Sequence, residues 1–232
     1  MAVISLGGIV ADIRGKLGGI VFSKNSSGGY VRQNTKPVNP QSALQNVLRA
    51  IFTTLVTAWR ETLTESQREG WGVYAKNVVV KNKVGNDIYL SGFNHFIRSG
   101  TPRVQAGLDY IEDAPGSFSL ADQDPTVTFS PSESAQTADV VFDTSKAWLD
   151  EDGSAMLIYG GIPVDPTINF FDGPYRYMDK IEGDSVTPPT SPATMAEPWP
   201  VVEDQRQYAY GRISLADGRL SEKFPVYGSV LS

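Results

Sequence analysis

The sequence predicts an α+β protein. A glycine-rich N-terminal arm or small sheet and a helical hairpin come first, followed by an all-β sandwich of the immunoglobulin or fibronectin-III type. Three observations predict it. Glycine-punctuated, β-prone runs fill the first 36 residues, apolar residues recur at three- and four-residue steps between positions 44 and 63, and short β-prone runs separated by Gly, Pro and Asp clusters occupy the chain beyond position 120. The charge changes sign along the same division. Residues 1–105 hold 13 Lys/Arg against 5 Asp/Glu, whereas residues 106–232 hold 7 against 21. The two parts therefore attract different partners, and copies are able to associate head to tail. The expected organisation is a basic anchoring domain over 1–105, a linker over 106–120 and an acidic sandwich domain over 121–232.

The arm carries Gly-Gly-Ile-Val at 7–10 and again at 18–21, with β-prone runs around Ile9 and Ile20 and a Gly28-Gly29 pair before Tyr30. Glycine at this density is entropically costly to order. The arm is expected to gain order either on a neighbouring subunit or by closing a small sheet. Arg14, Lys16, Lys24, Tyr30, Arg32 and Lys36 along it form the candidate assembly anchor.

Asn39-Pro40 predicts a helix start, with Asn at the cap and Pro at the first helical position, where its missing N–H would be unpaired anyway. From there Leu44, Val47, Leu48, Ile51, Phe52, Leu55, Ala58, Trp59 and Leu63 make one apolar face ending near position 63. Thr64 and Gln67 form a capping box for a second helix carrying Trp71, Tyr74 and Ala75 and ending near position 77. The short connection implies an antiparallel hairpin, with Leu48, Phe52, Leu55, Trp59, Trp71 and Tyr74 as its core. The β-branched run 78–80 and the turn-then-strand pattern at 84–89 follow. Ser91 caps a short helix with Phe93, Phe96 and Ile97, which Gly100-Thr101-Pro102 is expected to end.

In the acidic part, strands are expected at 126–129, 139–143, 155–159, 167–171, 207–213 and 223–227, the last two joined as a terminal hairpin by the turn 215–218. Residues 187–200 hold five prolines and read as a long loop.

The composition narrows the chemistry. With one His and no Cys there is no disulfide framework, Cys-ligated zinc, iron–sulfur cluster, thiol nucleophile or multi-His metal site within one chain. His95 sits among aromatics and reads as a packed or surface histidine rather than a base. Asp150-Glu151-Asp152-Gly153, and more weakly Asp122 with Asp124, read as solvated turns, lacking the spaced ligands and terminal Glu of an EF-hand. Arg14-Gly15-Lys16-Leu17 lacks the Ser/Thr and upstream glycine of a phosphate loop. No catalytic residue and no cofactor are expected. No apolar run approaches the ~20 residues of a membrane span, and the N-terminal residues lack the pattern of a secretory signal, so no membrane partner is expected. The basic residues of the arm, with Lys76, Lys81 and Lys83, suit phosphates. No recognition helix can be identified, however, and docking onto an acidic protein surface is favoured over nucleic acid. A third reading is carbohydrate or host-surface binding through Phe170, Phe171, Tyr175, Tyr177 and Trp199 of the sandwich.

The ordered set Gly15-Lys16-Leu17-Gly18 through Val21-Phe22, Gly29-Tyr30-Val31-Arg32, Pro37-Val38-Asn39-Pro40-Gln41, Gln45, Arg49, Phe52, Trp59-Arg60, Arg68, Trp71, Tyr74-Ala75 and Ser91-Gly92-Phe93-Asn94 resembles a family of phage and prophage proteins. These pair such an N-terminal module with a variable, often immunoglobulin-like C-terminal part. The resemblance covers residues 13–98. It implies a structural component of a tailed-phage particle: a capsid decoration or cement protein, or a part of the head–tail region, located in the virion and made in the bacterial cytoplasm. The implied partners are other virion proteins (major capsid, portal or tail proteins) and further copies of the chain as a homo-oligomer. No catalytic residues come with the family.

Overall fold

The computed structural model describes residues 2–4, 13–25, 28–36, 38–82 and 85–231. The first Gly-Gly-Ile-Val repeat, the run around Ile9, and Lys83 with Val84 lie outside the described residues.

The arm forms a small antiparallel sheet of β1 (Ala2–Ile4), β2 (Gly15–Leu17), β3 (Ile20–Asn25) and β4 (Gly28–Gln33), in the order β1-β4-β3-β2. Gly18, at φ +56°, supplies the left-handed residue that the two-residue hairpin turn between β2 and β3 needs.

Helix α1 (Ala43–Thr57) starts three residues later than Asn39-Pro40 predicts. Gln41 at φ +49° interrupts helical geometry, so Ser42 is the cap, while Asn39 Oδ1 accepts a 2.7 Å hydrogen bond from Arg49 Nη2. After a π-helical turn over Ala58–Thr62, Thr64 and Gln67 make the predicted capping box of α2 (Glu65–Asn77). A two-stranded ribbon of β5 (Val79–Lys81) and β6 (Asp87–Tyr89) leads to α3 (Gly92–Gln105), capped by Ser91. The expected break at Gly100-Thr101-Pro102 does not occur. Pro102 forfeits only one rung of the helical ladder, and Gly100 lets α1 approach closely, because a Cβ there would lie 2.8 Å from Leu55 Cδ2.

The antiparallel hairpin expected of the first two helices is instead a three-helix cluster, in which α3 packs on both α1 and α2. Its core holds Ile51, Leu55, Leu63, Trp71, Tyr74, Val78 and Phe96, with Trp59 half-buried at 5.5 Å from the Phe96 ring. Leu48 and Phe52, expected in this core, are 43% and 49% exposed. The chain covers the α1 stripe only at Ile51 and Leu55 and leaves the positions beside them open. The segment 106–120 is no free linker either. Trp71 Nε1 donates to the Glu112 carbonyl at 2.9 Å, Tyr74 Oη donates to the Ser119 carbonyl at 3.1 Å, and Tyr110, Ala114 and Leu120 pack on the helical core.

The acidic part is a seven-strand sandwich of the fibronectin-III type. Its strands are β7 (Thr128–Ser132), β8 (Thr137–Val141), β9 (Ala155–Gly161), β10 (Tyr175–Glu182), β11 (Ala193–Ala196), β12 (Arg206–Ser214) and β13 (Phe224–Ser229). They form antiparallel sheets in the orders β10-β9-β12-β13 and β11-β8-β7. Phe129, Val140, Trp148, Met156, Ile158, Met195, Ile213 and Phe224 fill the space between. Two expectations are corrected here. Residues 167–171 form no strand, and the fourth strand of the larger sheet is β10. The proline-rich stretch 187–200 contains β11, which Pro192 and Pro198 bracket. It lies at the sheet edge, the place a proline-flanked strand tolerates.

Helix α3 joins the two parts. Ser99 Oγ donates to the Gly218 carbonyl. Arg98 donates to the carbonyls of Leu220 at 3.0 Å and Ser221 at 3.2 Å. Arg103, only 3% exposed, donates to the carbonyls of Asp109, Gly153 and Leu215 and to Ser214 Oγ, at 2.8 to 3.1 Å. The turn between β12 and β13 is thus bonded to a helix of the basic part.

Candidate interaction surface

The register of the arm sheet sorts the predicted anchor residues by face. Lys16, Val21 and Arg32 stand opposite one another across β2, β3 and β4, and Tyr30 lies on the same face, opposite Ser23. Val21 is buried although Lys16 and Arg32, its cross-strand neighbours, are exposed. Lys24 alternates to the other face, opposite Gly29. Arg14 and Lys36 are exposed beyond the strand ends. The face that carries Lys24 also holds Leu17, Ile20, Phe22 and Val31, with Gln33 opposite Ile20 and Leu17 73% exposed.

Helix α1 repeats this pattern. Leu44, Val47, Leu48 and Phe52 are each about half exposed. An apolar face of this kind, left open beside basic residues, is the composition of a protein-contact surface.

A second surface lies between α1, α3 and the outer face of the larger sheet. Along β12 the side chains alternate: Gln207, Ala209, Gly211 and Ile213 point to the sandwich core, Tyr208, Tyr210 and Arg212 away from it. Tyr177, Tyr159 and Tyr210 face one another across β10, β9 and β12, forming a row of three rings. Tyr159 and Tyr210 stack at 4.7 Å and 11°, and Tyr175 meets Tyr210 edge-on at 5.0 Å. Burial raises the Tyr210 hydroxyl to about 12, against a smaller opposing pull from Arg212. This tyrosine floor, Leu44, Val47 and Leu48 of α1, and Arg98, Thr101 and Gln105 of α3 enclose a groove of about 770 Å³. Arg176 and Arg212 complete its lining.

Of the residues in the carbohydrate reading, Tyr175 and Tyr177 enter this groove, and Trp199 lies beneath the Arg176 guanidinium at 3.4 Å. Phe171 packs on Tyr175 and Tyr208, and Phe170 is 80% exposed. Sequence reasoning missed Arg98, Tyr159, Tyr210 and Arg212. The alternation along 206–214 was the one local sign of the last two.

The titratable groups singled out in the sequence are structural. His95 is 2% exposed and lies edge-on to Tyr74 at 5.1 Å; burial, aided by the Arg98 charge, lowers its pKa to about 4. Asp152 accepts hydrogen bonds from the backbone and hydroxyl of Ser185. The fully buried Asp124 accepts from Thr126 and from the Asp143 backbone. Among the described residues no group of three or more His, Asp or Glu is placed to hold a metal ion, and no helix is long and apolar enough to cross a membrane.

Fold and surface together define an α+β protein in which a small sheet and three helices are joined to a fibronectin-III-like sandwich. No family model matches the sequence, and no curated relative is found for it. Among solved structures, the chain is similar to a Fn3-like protein from Clostridium thermocellum at 8% identity, with a TM-score of 0.28, over 46% of this chain and 88% of that one.

Proposed function

We propose that this chain is a non-enzymatic structural component of a tailed-phage particle. Its arm sheet and α1 anchor it to other virion proteins or to further copies of itself, and its acidic sandwich is displayed. The observation that carries this reading is the open apolar stripe of α1, continued in kind by the Leu17 face of the arm sheet, with Lys24 on that face and Lys16 and Arg32 on the opposite one. Burying such side chains is favourable by roughly 25 cal/mol per Å², so a partner surface is their stable environment. Repeated copies on a symmetric shell or ring need only modest individual contacts, because multivalency raises the effective concentration. Capsid decoration and a place in the head–tail region both meet these terms. Mass spectrometry of purified particles tests the proposal. The chain is expected at a fixed ratio to the major capsid subunit; detection only in the particle-free lysate would refute it.

A further inference from the structure

We infer that the groove between α1, α3 and the tyrosine row is a binding site for an acidic peptide segment of a partner protein, one that carries apolar side chains between its carboxylates. Charge is the first argument. Three guanidiniums, Arg98, Arg176 and Arg212, line the groove, and no Asp or Glu does, although the segment that supplies Arg176 and Arg212 has a threefold excess of acidic residues. Arg98 is already paired with Glu222 at 3.2 Å, and Arg176 rests on Trp199. Arg212 shares the Glu222 charge with Arg98. Its Nε is buried without a hydrogen-bond acceptor, and Glu222 is bonded to Arg98 instead. A guanidinium with a buried N–H left without an acceptor is costly to desolvate, and a carboxylate from outside the chain lowers that cost.

The opposite wall identifies the rest of the ligand. Leu44, Val47 and Leu48 are aliphatic and about half exposed. They offer nothing to the hydroxyls of a sugar and are suited to Leu, Ile or Val side chains. A ligand with one anionic and one apolar edge fits between the two walls. The volume lies within the roughly 300–1,000 Å³ of formed binding pockets. An extended acidic–apolar peptide has this composition, with side chains alternating between its two edges. The site shares Leu44, Val47 and Leu48 with the α1 stripe on which the proposed assembly role rests, and it differs from that role in requiring Arg176 and Arg212.

Fluorescence anisotropy on the full chain tests it, with a fluorescein-labelled twelve-residue peptide alternating Glu and Leu as probe and its Lys/Leu counterpart as control. Saturable binding of the acidic probe alone is expected, weakening as salt is raised. Arg212→Gln and, at the rim, Arg176→Gln should each weaken it by about tenfold or more. Val47→Asp, on an exposed helix position where folding is not at risk, should do the same. Equal binding of both peptides, no binding of the acidic one, or binding indifferent to Val47→Asp and Arg176→Gln overturns the inference. A one-to-one complex with anilinonaphthalene sulfonate without peptide binding would mark a site for small amphipathic anions and also overturn it. So would self-association in sedimentation that Arg176→Gln abolishes, which would make a second copy the occupant of the groove.

Discussion

Arg103 on α3 donates from Nη1 to the carbonyl of Leu215 at 3.1 Å, at the start of the turn that closes the terminal hairpin of the sandwich. The same guanidinium serves three further acceptors and has no carboxylate among them. Nη1 thus ties the helices to the sandwich through two carbonyl groups and a hydroxyl that have to be desolvated with it, while Nε holds the Asp109 carbonyl.

Replacing Arg103 with Ala leaves those acceptors buried and unpaired. The expected cost is about 3–5 kcal/mol. Lys carries the charge but lacks the planar fork, so Arg103→Lys is expected to recover less than half of the loss. Urea unfolding monitored by fluorescence and by circular dichroism checks this. The wild-type transitions should coincide, whereas those of Arg103→Ala should separate as helices and sandwich lose their coupling.

Gly100→Ala sets two effects against each other. Alanine gains about 1 kcal/mol in helix propensity, but its Cβ would meet Leu55 at 2.8 Å. Overpacking of a buried contact costs roughly 1–3 kcal/mol, so net destabilisation is expected. The double variant with Leu55→Ala should be more stable than the sum of the single changes, a coupling read from a double-mutant cycle of chemical unfolding.

His95 and Glu197 give opposite pH slopes. Burial lowers His95 from 6.5 to about 4, so the unfolded chain binds the proton first and stability falls as pH drops through that window, by at most about 3 kcal/mol. Burial raises Glu197 from 4.5 to about 7, against a hydrogen bond from Gln207. The folded chain holds that proton more tightly, so stability declines as pH rises from 4.5 to 7, by about 1 kcal/mol after solvent screening. Thermal melts should show Glu197→Gln stabilised at pH 8 and little changed at pH 4. An unchanged melting temperature at pH 8 would contradict the assignment.

On α1, neighbouring positions should separate folding from the proposed assembly role. Leu55→Ala should cost about 2–5 kcal/mol, as a fully buried leucine does. Leu48→Ser and Phe52→Ser should stay within about 0.5 kcal/mol of wild type and yet prevent incorporation into particles. Denaturation curves and particle composition measured on the same variants decide the point.

What the sequence disclosed was local. The Thr64–Gln67 capping box, the Ser91 cap and the strand around Ala155 rest on neighbouring residues and are found where predicted. Periodicity drew the apolar stripe of α1 but could not say that it would be covered only at Ile51 and Leu55. Gly100 and Pro102 look like helix breakers until Leu55 is placed against the glycine. The β10 strand was hidden because it mixes tyrosines with Arg176, Asp179 and Lys180, as suits an edge with one solvated face. The groove was the least legible feature, since the row of Tyr177, Tyr159 and Tyr210 exists only once three strands have found their register.

The closure of the sandwich carries a consequence for timing. Leu231 exchanges backbone hydrogen bonds with Pro131 and Glu133, and Ser99 waits for Gly218, 119 positions further on. Such distant pairings form slowly and only after the intervening chain exists. The helices emerge from the ribosome without their clasp, and their sticky stripe on α1 is made long before the sandwich beside it.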